Sequence, residues 1–141
     1  MKSYKIILDT NLWISFLITG NYDFIDKSIE NKNIKLVFSE ELIQEFLSVV
    51  ARPKLKKYFT DKDVESILQT FNSYGIFIQV TSNIQLCRDS NDDFLLNLAV
   101  DSKSDFLVTG DKDLLEIKAI EGTRIITIKE LEEKLQKTDQ Q

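Results

Sequence analysis

Residues 106–115 read FLVTGDKDLL, and this stretch decides the fold class. Phe106, Leu107 and Val108 form an uninterrupted apolar run, the pattern of a strand buried on both faces. Gly110 breaks the run, and Asp111 and Asp113 follow it at once. A core strand that ends by presenting carboxylates fits a parallel α/β sheet, where ligands gather outside the carboxyl ends of the strands. The N-terminus repeats the arrangement, because Ile6, Ile7 and Leu8 lead directly into Asp9, Thr10 and Asn11.

Five β-like runs, at 4–8, 35–38, 76–80, 106–109 and 124–128, alternate with helical patterns. The helical patterns fall at 11–17, 22–31, 39–50, 60–74, 91–102 and 129–136. Within 39–50, Leu42, Ile43, Phe46, Leu47, Val49 and Val50 recur at helical spacing. Thr60 stands as the cap of the next helix, with Asp61 and Asp63 in its first turn. This alternation predicts an α/β fold with a mainly parallel five-stranded sheet and right-handed crossovers. With 141 residues, one proline, four glycines and no repeat or linker, a single domain with its core at about 4–136 is expected. Such a sheet places Asp9 and Asp111 on one rim.

Composition narrows the chemistry. No apolar run is long enough to span a bilayer, so no membrane partner is expected. The first residues reach an acid by position 9, unlike a signal peptide, which predicts a cytoplasmic protein. There is no histidine, and Cys87 is the sole cysteine. Ser–His and Cys–His nucleophiles, imidazole metal sites and Cys-rich zinc sites are thereby excluded. Carboxylates, Lys, Tyr, hydroxyls or an oxygen-held metal remain, and hard oxygen donors favour Mg²⁺ or Mn²⁺. The net charge of −5 opposes a polyanionic partner unless the acids are concentrated in one place.

Each acid has a local explanation. Asp9 can cap the following helix, and Gly-Asp-x-Asp at Asp111 and Asp113 makes a turn that starts one. Glu45 lies at the margin of an apolar stripe with Glu41 one turn earlier, and periodicity does not choose between them. Asp92 and Asp93 open a helix whose apolar residues, Phe94 to Leu96 and Leu98 to Val100, cover most of its circumference. Asp93, Asn97 and Asp101 form its polar stripe, although first-turn acids also suit the helix dipole. Two carboxylates 4 Å apart repel by about 4 kcal/mol at an effective dielectric near 20. A domain's whole stability is roughly 5–15 kcal/mol, so several acids in one pocket require protons or cations.

Taken in order, LDTN, SEELIQEFLSVVARPKL with Glu45, RDSNDDFLLNLA and LVTGDKDLL resemble the PIN-domain proteins. More narrowly, they are similar to the toxins of bacterial and archaeal toxin–antitoxin modules, over about residues 6–135. The resemblance implies a three-layer, Rossmann-like α/β/α sandwich and a Mg²⁺- or Mn²⁺-dependent ribonuclease acting on single-stranded RNA. It assigns catalysis to Asp9, Glu45, Asp93 and Asp111. Asp92 and Asp113 join these four as metal-holding acids, with Thr10 and Asn11 as polar neighbours. A slip of one residue exchanges Asp92 and Asp93, and the polar stripe selects Asp93. An RNA substrate and a cognate antitoxin are the implied partners, and homodimers are common among related proteins.

Arg52, Lys54, Lys56 and Lys57 follow the Glu45 helix, which Pro53 stops. They are candidate RNA-phosphate contacts, though cations also suit a helix C-terminus. Tyr58 is a candidate base-stacking residue, while Phe59 reads as core. A receiver-like phosphoacceptor would need an acid after the middle strand, but 76–80 leads into Thr81, Ser82 and Asn83. The standing alternative is a catalytically silent PIN-fold module that binds RNA or protein.

Overall fold

The apolar triplets become the centre of the sheet. In the computed structural model, which describes residues 3–19, 23–83 and 92–139, β1 (Tyr4–Leu8) pairs in parallel with β4 (Phe106–Val108). Ile6, Ile7, Leu107 and Val108 are fully buried, as strands covered on both faces require. β2 (Ile34–Phe38) flanks β1, and β3 (Gly75–Phe77) forms the edge beyond it. On the other side β6 (Thr123–Ile126) pairs in parallel with β4, and β5 (Ala119–Ile120) adds to β6 antiparallel. The order is β3-β2-β1-β4-β6-β5.

The sheet therefore has six strands where five were expected. β5 spans two residues, too few to carry a readable period, and it exists because the chain turns back at Glu121–Gly122. Glu121 takes the left-handed backbone there, with φ 52°. β3 is also shorter than the expected 76–80. As an edge strand it pairs only with β2, although the Ile78 N–H still reaches the Phe38 carbonyl at 2.9 Å.

α1 (Thr10–Thr19) and α2 (Asp23–Glu30) join β1 to β2. α3 (Glu40–Val50), α4 (Pro53–Lys56) and α5 (Asp61–Tyr74) join β2 to β3. α6 (Asp93–Ser102) precedes β4, α7 (Lys112–Ile117) follows it, and α8 (Ile128–Asp139) follows β6. The expected helix starts at Tyr22 and Asn91, and Cys87, lie outside the described residues. α4 was not anticipated; Pro53 opens it from the first-turn position where a missing N–H costs nothing.

Local chemistry sets the helix starts. The Ser39 hydroxyl accepts from the Leu42 N–H at 3.2 Å and caps α3. Thr60 caps α5 reciprocally with Asp63, at 3.2 and 2.9 Å. Gly75 lets α5 run straight into β3, since a Cβ there would come within 2.5 Å of Phe38 and of the Phe71 carbonyl oxygen. Around this joint Trp13, Phe38 and Phe71 pack ring against ring, with centroids 4.6–5.8 Å apart.

The chain winds from β1 out to β3, then crosses back to β4 on the other side of β1. Right-handed crossovers in opposite directions put helices on both faces of the sheet, giving three layers. The reversal also makes the carboxyl ends of β1 and β4 the switch point, the place where open α/β sheets form a ligand crevice. Among the described residues no helix is long and apolar enough to cross a membrane.

Candidate active site

The placement of the two strand-end acids is set by register. Leu8 sits opposite Val108, and the Asp9 N–H donates to the Val108 carbonyl at 3.0 Å. The next residue on each strand then faces the other. Thr109, fully buried, donates its hydroxyl to Asp9 Oδ2 at 2.7 Å. The same hydroxyl accepts the Asp111 N–H at 3.0 Å. Asp111 Oδ1 in turn accepts the Asp113 N–H at 2.8 Å and caps α7. One threonine thus ties the two strand-end acids together.

Asp9 is the hub. Burial pushes its carboxyl above the ordinary value, and the Asp111 charge adds to the rise. The Thr109 hydroxyl and the N–H groups of Asn11 and Thr10 pull the other way. Glu45, on α3, is also raised, first by burial and then by the Asp9 charge, with Arg52 opposing. Asp9 therefore feels Asp111 directly and is felt by Glu45. Glu41, by contrast, is exposed.

Asp93 is 7% exposed in the first turn of α6. That helix packs on α3, which carries Glu45, and on β4, which leads to Thr109 and Asp111. Asp92 precedes it, less buried and without a side-chain capping bond. Farther along α6, Asp101 leaves the expected polar stripe for another task. Its Oδ2 accepts the N–H groups of Thr81 and Ser82 at 2.6 and 3.0 Å, anchoring the segment that follows β3.

Thr10 is buried at the start of α1, and its hydroxyl has no partner among the described residues. Asn11 is exposed, with its N–H 3.4 Å from Asp9 Oδ1. Arg52, Lys54, Lys56 and Lys57 are all exposed. Arg52 starts this basic run within electrostatic reach of Glu45. Lys57 Nζ lies 5.1 Å from the Tyr58 ring centre; Tyr58 is exposed and Phe59 is buried, as expected. Thr109 was not anticipated. The signal for it was a hydroxyl residue between a buried strand and Gly-Asp.

Whether these residues suit a divalent cation depends on their donors. All are hard oxygens, and Asp9 and Glu45 are held above their ordinary pKa by burial first, then by the charge of Asp111 on Asp9 and of Asp9 on Glu45, a repulsion that a cation would relieve. Among the described residues no group of three or more acidic side chains is placed to hold a metal ion together. Mg²⁺ keeps several waters and takes one or two carboxylates, so the donor pair Asp9 and Asp111, linked through Thr109, suits it.

A parallel α/β sheet with Asp9 and Asp111 leaving the carboxyl ends of its two central strands at the switch point defines the class. Residues 5–113 match the PIN domain model, and the chain belongs to that family. PIN domains are generally nucleases, and such nucleases generally use divalent metals. The uncharacterised protein MJ1680 of Methanocaldococcus jannaschii is 32% identical over 123 residues, covering 81% of this chain and 75% of that protein. A chain of VapBC2 from Rickettsia felis, crystallised with a DNA fragment from their promoter, shares the fold. Its TM-score is 0.56 at 16% identity, covering 87% of this chain and 98% of that one.

Proposed function

We propose that this protein is a Mg²⁺- or Mn²⁺-dependent endoribonuclease that cleaves single-stranded RNA, acting in the cytoplasm as the toxin of a toxin–antitoxin pair. The observation that carries this reading is Asp9, which shares its electrostatic environment with both Asp111 and Glu45 at the switch point of the sheet. Membership of a family of nucleases, and the resemblance of its four acidic blocks to the toxin branch, supports the rest.

Asp9, Glu45, Asp93 and Asp111 are the acids assigned to cation binding and catalysis, with Asp92 and Asp113 supporting; one or two of them would touch the ion directly and the others would act through its waters. When bound, such an ion makes water acidic enough to attack at neutral pH and stabilises charge on the phosphoryl oxygens. Glu45 or Asp93 takes the proton of the attacking water or orients it. Thr109 keeps Asp9 aligned, since a hydroxyl already accepting from Asp111 directs its own proton to Asp9 Oδ2. Arg52, Lys54, Lys56 and Lys57 contact the phosphates flanking the scissile bond, and Tyr58 offers an open ring for an unpaired base. An antitoxin segment covering the acidic rim would hold the enzyme silent, and a homodimer is compatible with the fold.

Cleavage of single-stranded RNA in Mn²⁺ tests the proposal, with wild type and Asp9→Asn compared. Wild type is expected to cut and the variant to lose activity by at least about a hundredfold, the scale of losing a group that acts in the transition state. Equal activity in the two proteins would remove Asp9 from the mechanism. Silence in both would favour a PIN-fold binding module.

A further inference from the structure

We infer, on the ribonuclease reading above, that Arg52 is a catalytic residue. Its guanidinium reaches the nonbridging oxygens of the scissile phosphate itself, one step inward from the flanking contacts of the lysines that follow it.

Arg52 lies seven positions beyond Glu45. At about 100° per residue, seven positions fall about 20° short of two full turns, so both side chains leave the same flank of α3. The helix closes at Val50, yet its course persists for two residues more. Ala51 keeps φ −78° and ψ −10°, and the N–H groups of Ala51 and Arg52 still reach the Leu47 and Val49 carbonyls at 3.2 and 3.1 Å. Arg52 has φ −64°, which aims its Cβ as a further helical residue would. Only then does the backbone turn away, with ψ 143°, into Pro53. The Arg52 carbonyl fixes this corner, accepting from the N–H groups of Leu55 and Lys56 at 2.9 and 3.1 Å.

The lysines stand elsewhere. Lys56 lines an open groove with Leu47, Val50 and Ala51, which lie about 140–240° around α3 from Glu45. Lys57 is drawn over the Tyr58 ring. Arg52 is exposed and within the field of Glu45. Among the described residues its guanidinium makes no hydrogen bond or ion pair, so its donors stay open to a ligand. Beyond Glu45 come Asp9, Thr109 and Asp111, so this one cation borders the row of acids.

Hydrolysis forms a P–O bond to water and breaks the one to the leaving sugar oxygen. Glu45 or Asp93 takes the water's proton, and the leaving oxygen takes one from solvent. Arg52 transfers no proton. It answers the charge that builds on the nonbridging oxygens, with a planar fork of donors that an ammonium lacks.

Steady-state cleavage of single-stranded RNA in Mn²⁺ tests the assignment, comparing wild type, Arg52→Ala, Arg52→Lys and Lys56→Ala. Arg52→Ala is expected to lower kcat about a hundredfold and to change KM less than about threefold. Arg52→Lys should recover no more than about a tenth of the wild-type kcat. Millimolar guanidinium should restore part of the activity of Arg52→Ala, whereas Lys56→Ala should raise KM and spare kcat. If Arg52→Ala does not fold, Arg52→Lys decides by the same split between kcat and KM. An unchanged kcat, a loss confined to KM, full recovery with lysine, or no rescue by guanidinium would each overturn the role of Arg52 while leaving a ribonuclease in place. An inactive wild type would overturn both.

Discussion

The Thr109 hydroxyl donates to Asp9 Oδ2 at 2.7 Å, joining two residues that lie one hundred positions apart. With the Asp111 N–H on its oxygen, that hydroxyl has one proton and one direction in which to send it. Thr109→Val keeps the shape and removes both bonds. Stability in urea is expected to fall by about 1 kcal/mol, because the part-buried Asp111 N–H loses its acceptor. Cleavage should drop by roughly 10–100-fold, as for groups that orient metal-holding carboxylates. Thr109→Ser keeps the hydroxyl and should recover most of both. A valine variant as active as wild type would show that the bond does not position Asp9.

Cation binding should be visible without any substrate. Millimolar Mg²⁺ or Mn²⁺ is expected to raise the melting temperature of wild type, because a ligand that binds only the folded chain stabilises it. At about a hundred times its Kd the gain is roughly 2.7 kcal/mol. Asp111→Asn removes one carboxylate and should show a smaller rise. A flat response in wild type argues against a formed metal site.

Without cation, the raised acids should weaken the fold as pH rises. Asp9 and Glu45 both titrate above their ordinary values of 3.8 and 4.5, so the folded state holds these protons longer than the unfolded state does. Stability is then greatest below the ordinary values and falls as pH climbs through the raised ones. In EDTA, Asp9→Asn is expected to gain stability relative to wild type between about pH 4 and pH 7, and to match it at the acid end of that range. Urea midpoints at several pH values measure the difference. A gap that stays constant with pH would contradict it.

RNA affinity should carry an electrostatic signature. Lys54→Ala with Lys57→Ala removes two exposed cations from the run that begins beside Glu45. Each lost phosphate contact should reduce the slope of log K against log salt by about 0.7 for a single strand. Asp9→Asn should leave that slope nearly intact, which separates binding from chemistry. An unchanged slope in the double variant would place the RNA path elsewhere.

The elements most legible from sequence were those written in near-neighbour chemistry. The apolar runs at Ile6–Leu8 and Phe106–Val108 announce central strands, and Thr60 with Asp63 marks the start of α5. The order of acidic blocks was also readable, and with it the family. β5 escaped notice because two residues show no periodicity, and β3 was overextended because an edge strand has one partner to hold it.

Choices among chemically equal candidates belonged to the tertiary structure. That Glu45 is half-buried and Glu41 exposed follows from which turn of α3 reaches the field of Asp9. The greater burial of Asp93 than Asp92 follows from how α6 packs on its neighbours, and Thr109 acquires its role only when β4 lies in register with β1. Periodicity and capping act over a few residues and are encoded where they act. Burial and charge coupling depend on groups brought together from distant parts of the chain, and only the folded sheet supplies those neighbours.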